Sequence, residues 1–310
     1  MKIPTYQEQL NFVDRGFAVK SVNGNLTTFK YSRKVMYDNL WNKIPGILEC
    51  RGHTYDNQTG ELVVLPLMKT FNYKENDWSH PEIALNRKVT LHTKFNGFMG
   101  AVSCVKENEF IFSTTGSTKS EYAEKVQEMF TQKLVYDYFY GTEFTEEKHN
   151  LYHPNPGYTC LYEVIRQDDP HIVDSGLNNT MISLGIRDHT TGDWYPDHLF
   201  SAELEFGEAL EFCKTNKGEG WMVYYDSTQA PFKLKTDYYV YKKKLMRMSA
   251  SWIDRIFDTY TDEVYCNWPK TWYNVARAIT IREDKYDWCE MLDQERRVII
   301  EQIYEEYKCG

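Results

Sequence analysis

The sequence predicts an α+β protein in which antiparallel sheets are flanked by helices and a small all-helical segment follows. Two observations carry this. Short strand-like runs, alternating between apolar and polar residues at 89–94 and punctuated by Gly, Asn, Asp and Pro, recur between residues 47 and 235. From about Leu245 onward glycine disappears until the final position, and apolar residues recur at helical spacing. With 310 residues, 42% hydrophobic and 26% charged, the chain is long enough to bury a core without disulfide staples.

Taken in order, residues 47–55 and 61–65 read as strands around a turn at 56–60. Residues 89–94 alternate, Asn96-Gly97 interrupts, and strands resume at 98–105 and 110–114. Residues 120–140 read as a helix, because Tyr122, Val126, Met129, Phe130, Leu134 and Tyr138 fall close to i, i+4, i+7. A loop rich in Glu, His, Asn and Pro is expected over 141–157. Strands are expected at 158–166, 181–187, 221–225 and 232–235, with a helix at 202–214. Behind these, Ile253, Ile256, Phe257 and Tyr260 form one apolar stripe, and Val298, Ile299, Ile303 and Tyr307 another. A domain boundary is placed near 246, giving 1–245 and 246–310. No internal repeat or low-complexity tract is evident.

Composition excludes several classes. The first ten residues are polar and no apolar run approaches the ~18 residues of a membrane span, so neither a signal peptide nor a membrane protein is expected. The seven cysteines are odd in number and lack a Cys-x-x-Cys pair, which argues against a disulfide scaffold and a structural zinc site and favours a reducing, cytoplasmic location. A net charge of −9 argues against broad non-specific nucleic-acid binding. Locally the balance reverses: residues 217–247 hold seven basic residues against three acidic ones, a candidate RNA path. Residues 246–310 hold nine basic against thirteen acidic, and are no basic arm.

The chemistry centres on Lys94-Phe95-Asn96-Gly97. Alone, Asn-Gly is the favoured two-residue hairpin turn and Lys94 its solvated flank. The wider set changes the weight. Glu49-Cys50-Arg51-Gly52 and Lys69-Thr70-Phe71-Asn72 lie upstream. Phe112-Ser113-Thr114-Thr115-Gly116-Ser117, Tyr162-Glu163-Val164, Glu219-Gly220-Trp221 and Phe232-Lys233-Leu234-Lys235-Thr236-Asp237-Tyr238-Tyr239 follow. Lys233 and Lys235, two apart on a strand, point to one face that can hold a phosphate and lower the pKa of a neighbouring lysine. Glu163 and Glu219 sit in otherwise apolar runs, where a carboxylate needs a cation for a partner: a core lysine or arginine, or a divalent metal.

This ordered set resembles the covalent nucleotidyltransferase superfamily of ligases and capping enzymes. Within it the chain is similar to the phage type-one RNA ligases, the tRNA-repair ligases of T-even phages, over about residues 47–241. The resemblance implies a nucleotidyltransferase, ATP-grasp-like ligase core at 1–245, an adenylyltransferase domain, with the helical domain at 246–310 appended. It implies an ATP-dependent RNA ligase that joins 3′-hydroxyl and 5′-phosphate ends through lysyl-AMP and adenylylated RNA, in phage RNA or tRNA repair in the host cytoplasm. Lys94 would be the nucleophile, with Glu219, Lys233 and Lys235 beside it in catalysis. Arg51, Lys69, Phe71, Gly97 and Glu163 would hold the nucleotide, Phe71 by packing under Lys69. Glu163 and Glu219 would hold Mg²⁺, with Mn²⁺ as the alternative. RNA is the expected partner, with no membrane and no obligate protein partner.

The sequence departs from the resemblance twice. Asn96 stands where the usual Lys-x-Asp-Gly has Asp, and Thr115 where close relatives carry lysine; Lys119 is the candidate to restore that charge. Asn96 in place of Asp motivates one alternative, an enzyme that stops at AMP transfer to another acceptor; the resemblance itself implies another, a non-catalytic factor of phage assembly at tail-fibre attachment. His149 and His153 read as loop histidines, because Pro154 and Pro156 break any helix that would pair them. Lys242, Lys243 and Lys244 read as a solvated face or a guide for the RNA backbone.

Overall fold

Turn chemistry and alternation divide the chain into three antiparallel sheets, seen in a computed structural model that describes residues 2–79, 82–106, 109–140, 155–169, 171–174, 176–177, 179, 180–226, 230–258 and 267–308. The loop expected at 141–157 and the histidines at 149 and 153 lie almost wholly outside the described residues.

The N-terminal sheet has the order β1 (Ala18–Asn23), β2 (Leu26–Tyr31), β3 (Arg51–Asp56), β4 (Leu62–Val64). Helix α1 (Tyr6–Asp14) packs beside it. Thr5 starts that helix in a reciprocal cap: its hydroxyl accepts from Glu8 N–H, and the Glu8 carboxylate accepts from Thr5 N–H. Helix α2 (Arg33–Tyr37) follows β2. Neither the helix α1 nor the hairpin β1–β2 is anticipated above. The strand expected from residue 47 begins only at Arg51, because Ile47–Glu49 form a 3₁₀ turn.

The second sheet joins β5 (Lys88–Thr93) to later strands in the order β11 (Ser201–Glu205), β5, β12 (Gly220–Tyr224), β13 (Phe232–Lys235). The third has the order β10 (Trp194–Pro196), β9 (Thr180–Asp188), β8 (Tyr158–Ile165), β6 (Phe98–Lys106), β7 (Glu109–Thr114). Helix α3 (Glu121–Tyr140) covers the third sheet through Val126, Met129 and Phe130, while Tyr122 is exposed. The helix expected over 202–214 starts later, as α4 (Phe206–Thr215). Residues 201–205 instead pair with β5 as an edge strand, Glu205 opposite Lys88.

Most consequential for the site, β5 and β6 are not a hairpin. They belong to different sheets, and Lys94–Gly97 is the crossing between them, so Asn96-Gly97 is not a two-residue turn.

The C-terminal helices α5 (Asp237–Met246), α6 (Ala250–Asp258), α7 (Lys270–Arg282), α8 (Lys285–Glu290) and α9 (Asp293–Tyr307) share a core. Tyr238, Tyr239, Leu245 and Met246 of α5 belong to it, so the strand carrying Lys233 and Lys235 leads directly into the helical layer. Ile253, Ile256 and Ile303 point inward as expected; Val298 does not, because Ile300 and Arg296 take the inward positions. Arg296 is satisfied there by the carbonyls of Trp288, Met246 and Cys289, each at 2.9 Å. Among the described residues no helix is long and apolar enough to cross a membrane.

The run 242–244 is not a uniform solvated face. Lys242 is buried, donates to Tyr238 Oη at 3.3 Å and pairs with Glu301, tying α5 to α9. Lys242→Ala is expected to lower unfolding free energy by about 1–2 kcal/mol in urea titrations, below the usual cost of breaking a buried pair because Glu301 can rehydrate.

Candidate active site

The crossing is held at both ends. The Lys94 N–H donates to the Gly220 carbonyl at 2.9 Å, and the Gly97 N–H donates to Glu163 Oε1 at 2.9 Å. A Cβ on Gly97 would stand 2.3 Å from the Val164 carbonyl oxygen, so glycine is required by clearance. Gly97→Ala is therefore expected to displace the crossing, to cost about 1–3 kcal/mol in stability, and to lower any covalent labelling of Lys94 by about 100-fold, measured by denaturant melts and gel labelling.

Strand pairing gathers the other groups. Glu219 immediately precedes β12, and its Oε1 lies 3.1 Å from Lys94 Nζ and 3.4 Å from Lys235 Nζ. In the β12–β13 register Met222 faces Lys233 and Gly220 faces Lys235, which sets the two lysines on one face. A parallel bridge between Asn72 and Lys233 draws the 69–72 segment onto β13. The Lys69 ammonium lies 4.6 Å from the Phe71 ring centroid, 5.5 Å from that of Trp41 and 3.6 Å from Glu75 Oε1. Phe71 is buried beneath Lys69 and is not part of the cleft wall. Arg51 opens β3 and donates to the Leu67 carbonyl at 3.0 Å.

Arg51, Lys94, Gly97, Glu163 and Lys233 line one cleft, together with an apolar wall of Met99, Leu184, Trp194, Phe200, Met222 and Tyr224. Trp194 Nε1 donates to Tyr224 Oη at 3.0 Å, which fixes both rings. A second cavity lies against the same crossing, lined by Asn96, Gly97, Thr115, His171, Lys243 and Arg247 among others. The Asn96 side-chain carbonyl accepts from Val173 N–H at 2.9 Å, so this amide anchors the crossing to the segment after β8.

Electrostatics depart from one expectation. Burial by itself would depress the Lys94 ammonium, but the carboxylates of Glu163 and Glu219 outweigh it and hold the amine above its ordinary value. The depressed amine is Lys233, pushed to about 7 by burial and by the cations Arg51, Lys69, Lys94 and Lys235. Lys235 is lowered by burial despite Glu219. Burial raises the Glu163 carboxyl, with Lys94 opposing. Lys233 and Lys235 therefore do not leave Lys94 primed in the free site; the two carboxylates set its state.

Not every predicted residue converges. Lys119 is exposed and lines neither cavity. The lysine that reaches the neighbouring Gly116 is Lys30, on β2, with Nζ 3.8 Å from where a Gly116 Cβ would stand. Sequence reasoning missed Lys30, and it missed the apolar wall. Both come from strands remote in the chain, and no spacing rule links them.

A family model described as RNA ligase matches residues 49–223. Two solved structures, form 1 and form 2 of an archaeal ATP-dependent RNA ligase, are similar in fold. Each aligns with 98% of this chain and 78% of its own, at 13% identity and a TM-score of 0.50. No curated protein matches the chain.

Proposed function

The chain belongs to the RNA ligase family, and we propose that it uses ATP to join a 3′-hydroxyl RNA end to a 5′-phosphate end through a covalent adduct on Lys94. The observation that carries this reading is the position of Lys94 Nζ, 3.1 Å from Glu219 in a cleft that also holds Glu163, Arg51 and Lys233.

In the first step the deprotonated Lys94 Nζ forms a bond to the α-phosphorus as the bond to pyrophosphate breaks. In the second, an oxygen of the RNA 5′-phosphate displaces Lys94 and takes the AMP. In the third, the 3′-hydroxyl attacks that 5′-phosphorus, AMP leaves, and the hydroxyl proton passes to solvent or a base. Each step moves a phosphoryl group, so positioning and cationic stabilisation do most of the work. Lys233, Lys235, Arg51 and Lys69 supply the cations, and the apolar wall at Trp194 and Met222 suits a stacked base.

Glu163 and Glu219 fit Mg²⁺ or Mn²⁺. Among the described residues no group of three or more His, Cys, Asp or Glu could cage an ion, but a hard cation held by two carboxylates can complete its shell with water and phosphate oxygens. Such an ion would supply positive charge to the phosphates. Occupied carboxylates would also hold the Lys94 proton less tightly.

The proposal extends to organisation and setting: an adenylyltransferase domain at 1–245, a helical domain at 246–310, and phage RNA or tRNA repair in the host cytoplasm. The replacement of Asp by Asn96 favours a second reading, in which the enzyme stops after AMP transfer. Incubation with α-labelled ATP or GTP and Mg²⁺, followed by addition of 5′-phosphorylated RNA, separates the two. A labelled protein band with ATP and closure of the RNA support the ligase. Label without sealed RNA supports the second reading, and no label with either nucleotide refutes both.

A further inference from the structure

Lys30 is a half-buried cation that nothing in the reaction scheme above employs. In the β2–β3 register it stands directly opposite Arg51, so the two side chains share one face of the sheet. Its ammonium reaches the turn after β7, and Gly116, lacking a Cβ, leaves room there. The turn is tied to β1: Ser117 Oγ lies 3.3 Å from Ser21 Oγ, and Asn23 Nδ2 donates to Thr118 Oγ1 at 3.3 Å. Thr115 on the same turn lines the second cavity, whereas Arg51 lines the cleft that holds Lys94.

We propose that Lys30, Arg51 and the Thr115–Gly116 turn form a phosphate subsite between the nucleotide cleft and the cavity on the other side of the crossing. Three observations support it. Among the described residues no carboxylate partners Lys30; the groups acting on it are burial and the Arg51 guanidinium, and both disfavour its charge. Arg51 has the Glu163 carboxylate acting on it, so Lys30 is the cation of the two that stands to gain from binding an anion. Finally, Thr115 stands where the resemblance expects lysine, and Lys30 delivers an ammonium to the adjoining residue from a different strand.

This inference rests on the ligase reading for the source of the phosphate. Two sources share the chemistry: the β- and γ-phosphates of ATP, and the 5′-phosphate of the RNA end. Lys30→Gln and Lys30→Arg distinguish them in the full chain. One assay reads self-labelling against ATP concentration. The other reads discharge of the purified adenylylated protein onto 5′-phosphorylated RNA. The glutamine variant should lose on the order of tenfold in one of the two, the scale of one charge-assisted contact, and arginine should recover most of it. A loss confined to labelling assigns the subsite to ATP; a loss confined to discharge assigns it to RNA. Glutamine equal to wild type in both assays overturns the proposal, as does arginine failing as badly as glutamine.

Calorimetric titration of tripolyphosphate and of a 5′-phosphorylated oligonucleotide tests Lys30 even if the wild-type protein does not label. Weaker binding of either by Lys30→Gln supports the subsite, and unchanged binding of both sinks it. Failure of wild-type labelling alone would count against the ligase reading and not against Lys30.

Discussion

Lys94→Ala is expected to abolish covalent labelling by α-labelled nucleotide, a loss of at least about 10³-fold, while the protein stays folded. The chemical half of this expectation follows from the proposed nitrogen–phosphorus bond, which no methyl group can form. The structural half follows from Glu219. Its Oε1 retains Lys235 at 3.4 Å when Lys94 is removed, so the carboxylate is not left buried and alone. Circular dichroism and urea melts should therefore move by less than about 1 kcal/mol. Lys94→Arg sharpens the test, because a guanidinium keeps the charge beside Glu219 but stays protonated and cannot attack. Arginine should be stable and inactive. A folded alanine or arginine variant that still labels would remove Lys94 from its proposed role.

The largest stability effect is expected behind the site. Glu49 and Arg187 form a buried two-bond pair, with Nη1 2.9 Å from Oε2 and Nη2 2.7 Å from Oε1. Arg187 also donates to the carbonyls of Pro66 and Gly192, and His53 Nε2 lies 3.3 Å from Glu49 Oε2. Arg187→Met would leave the carboxylate buried with only a histidine, and should cost about 3–5 kcal/mol in urea unfolding. A loss below about 1 kcal/mol would show that the pair contributes little. Because Glu49 lies just before β3 and Arg187 sits on β9, such a loss would also loosen Arg51.

The same cluster predicts acid sensitivity. Burial raises Glu49, but His53 and Arg187 outweigh it and bring the carboxyl to about 2; His53 is lowered by burial, and burial takes His189 to about 4. All three are held below their unfolded values, so the unfolded chain binds more protons as the solution acidifies. The histidine contribution is intact above about pH 6.5 and declines below it, and that of His189 is spent by about pH 4. The Glu49 contribution is intact above about pH 4.5 and fades toward pH 2. Unfolding free energy measured from pH 7.5 to pH 4 should fall steadily. A flat profile would mean that the histidines are not buried neutral.

How much of this was legible in the sequence depends on whether the information is local. Alternation at 89–94 located β5, because a half-buried strand writes its two faces into every second residue. The pair Lys233 and Lys235 could be set on one face for the same reason. Residues 202–205 misled, since Ala, Glu and Leu favour helices and only pairing with β5 makes them a strand. Asn96-Gly97 misled in the opposite way: its hairpin preference is overridden because the two flanking strands find partners in different sheets. The burial of Lys242 and the reach of Lys30 were invisible, for each is decided by a segment far away, α9 in one case and the turn after β7 in the other.

The crossing at Lys94–Gly97 has a mechanical consequence. A fully extended four-residue span reaches at most about 14 Å, and this one is fastened to Gly220 at one end and to Glu163 at the other. It has no slack. The edges of the two sheets cannot part there by more than the length of that span, so on this side of the cleft the chain itself sets the limit. The amine proposed to react stands at the first residue of that limited span.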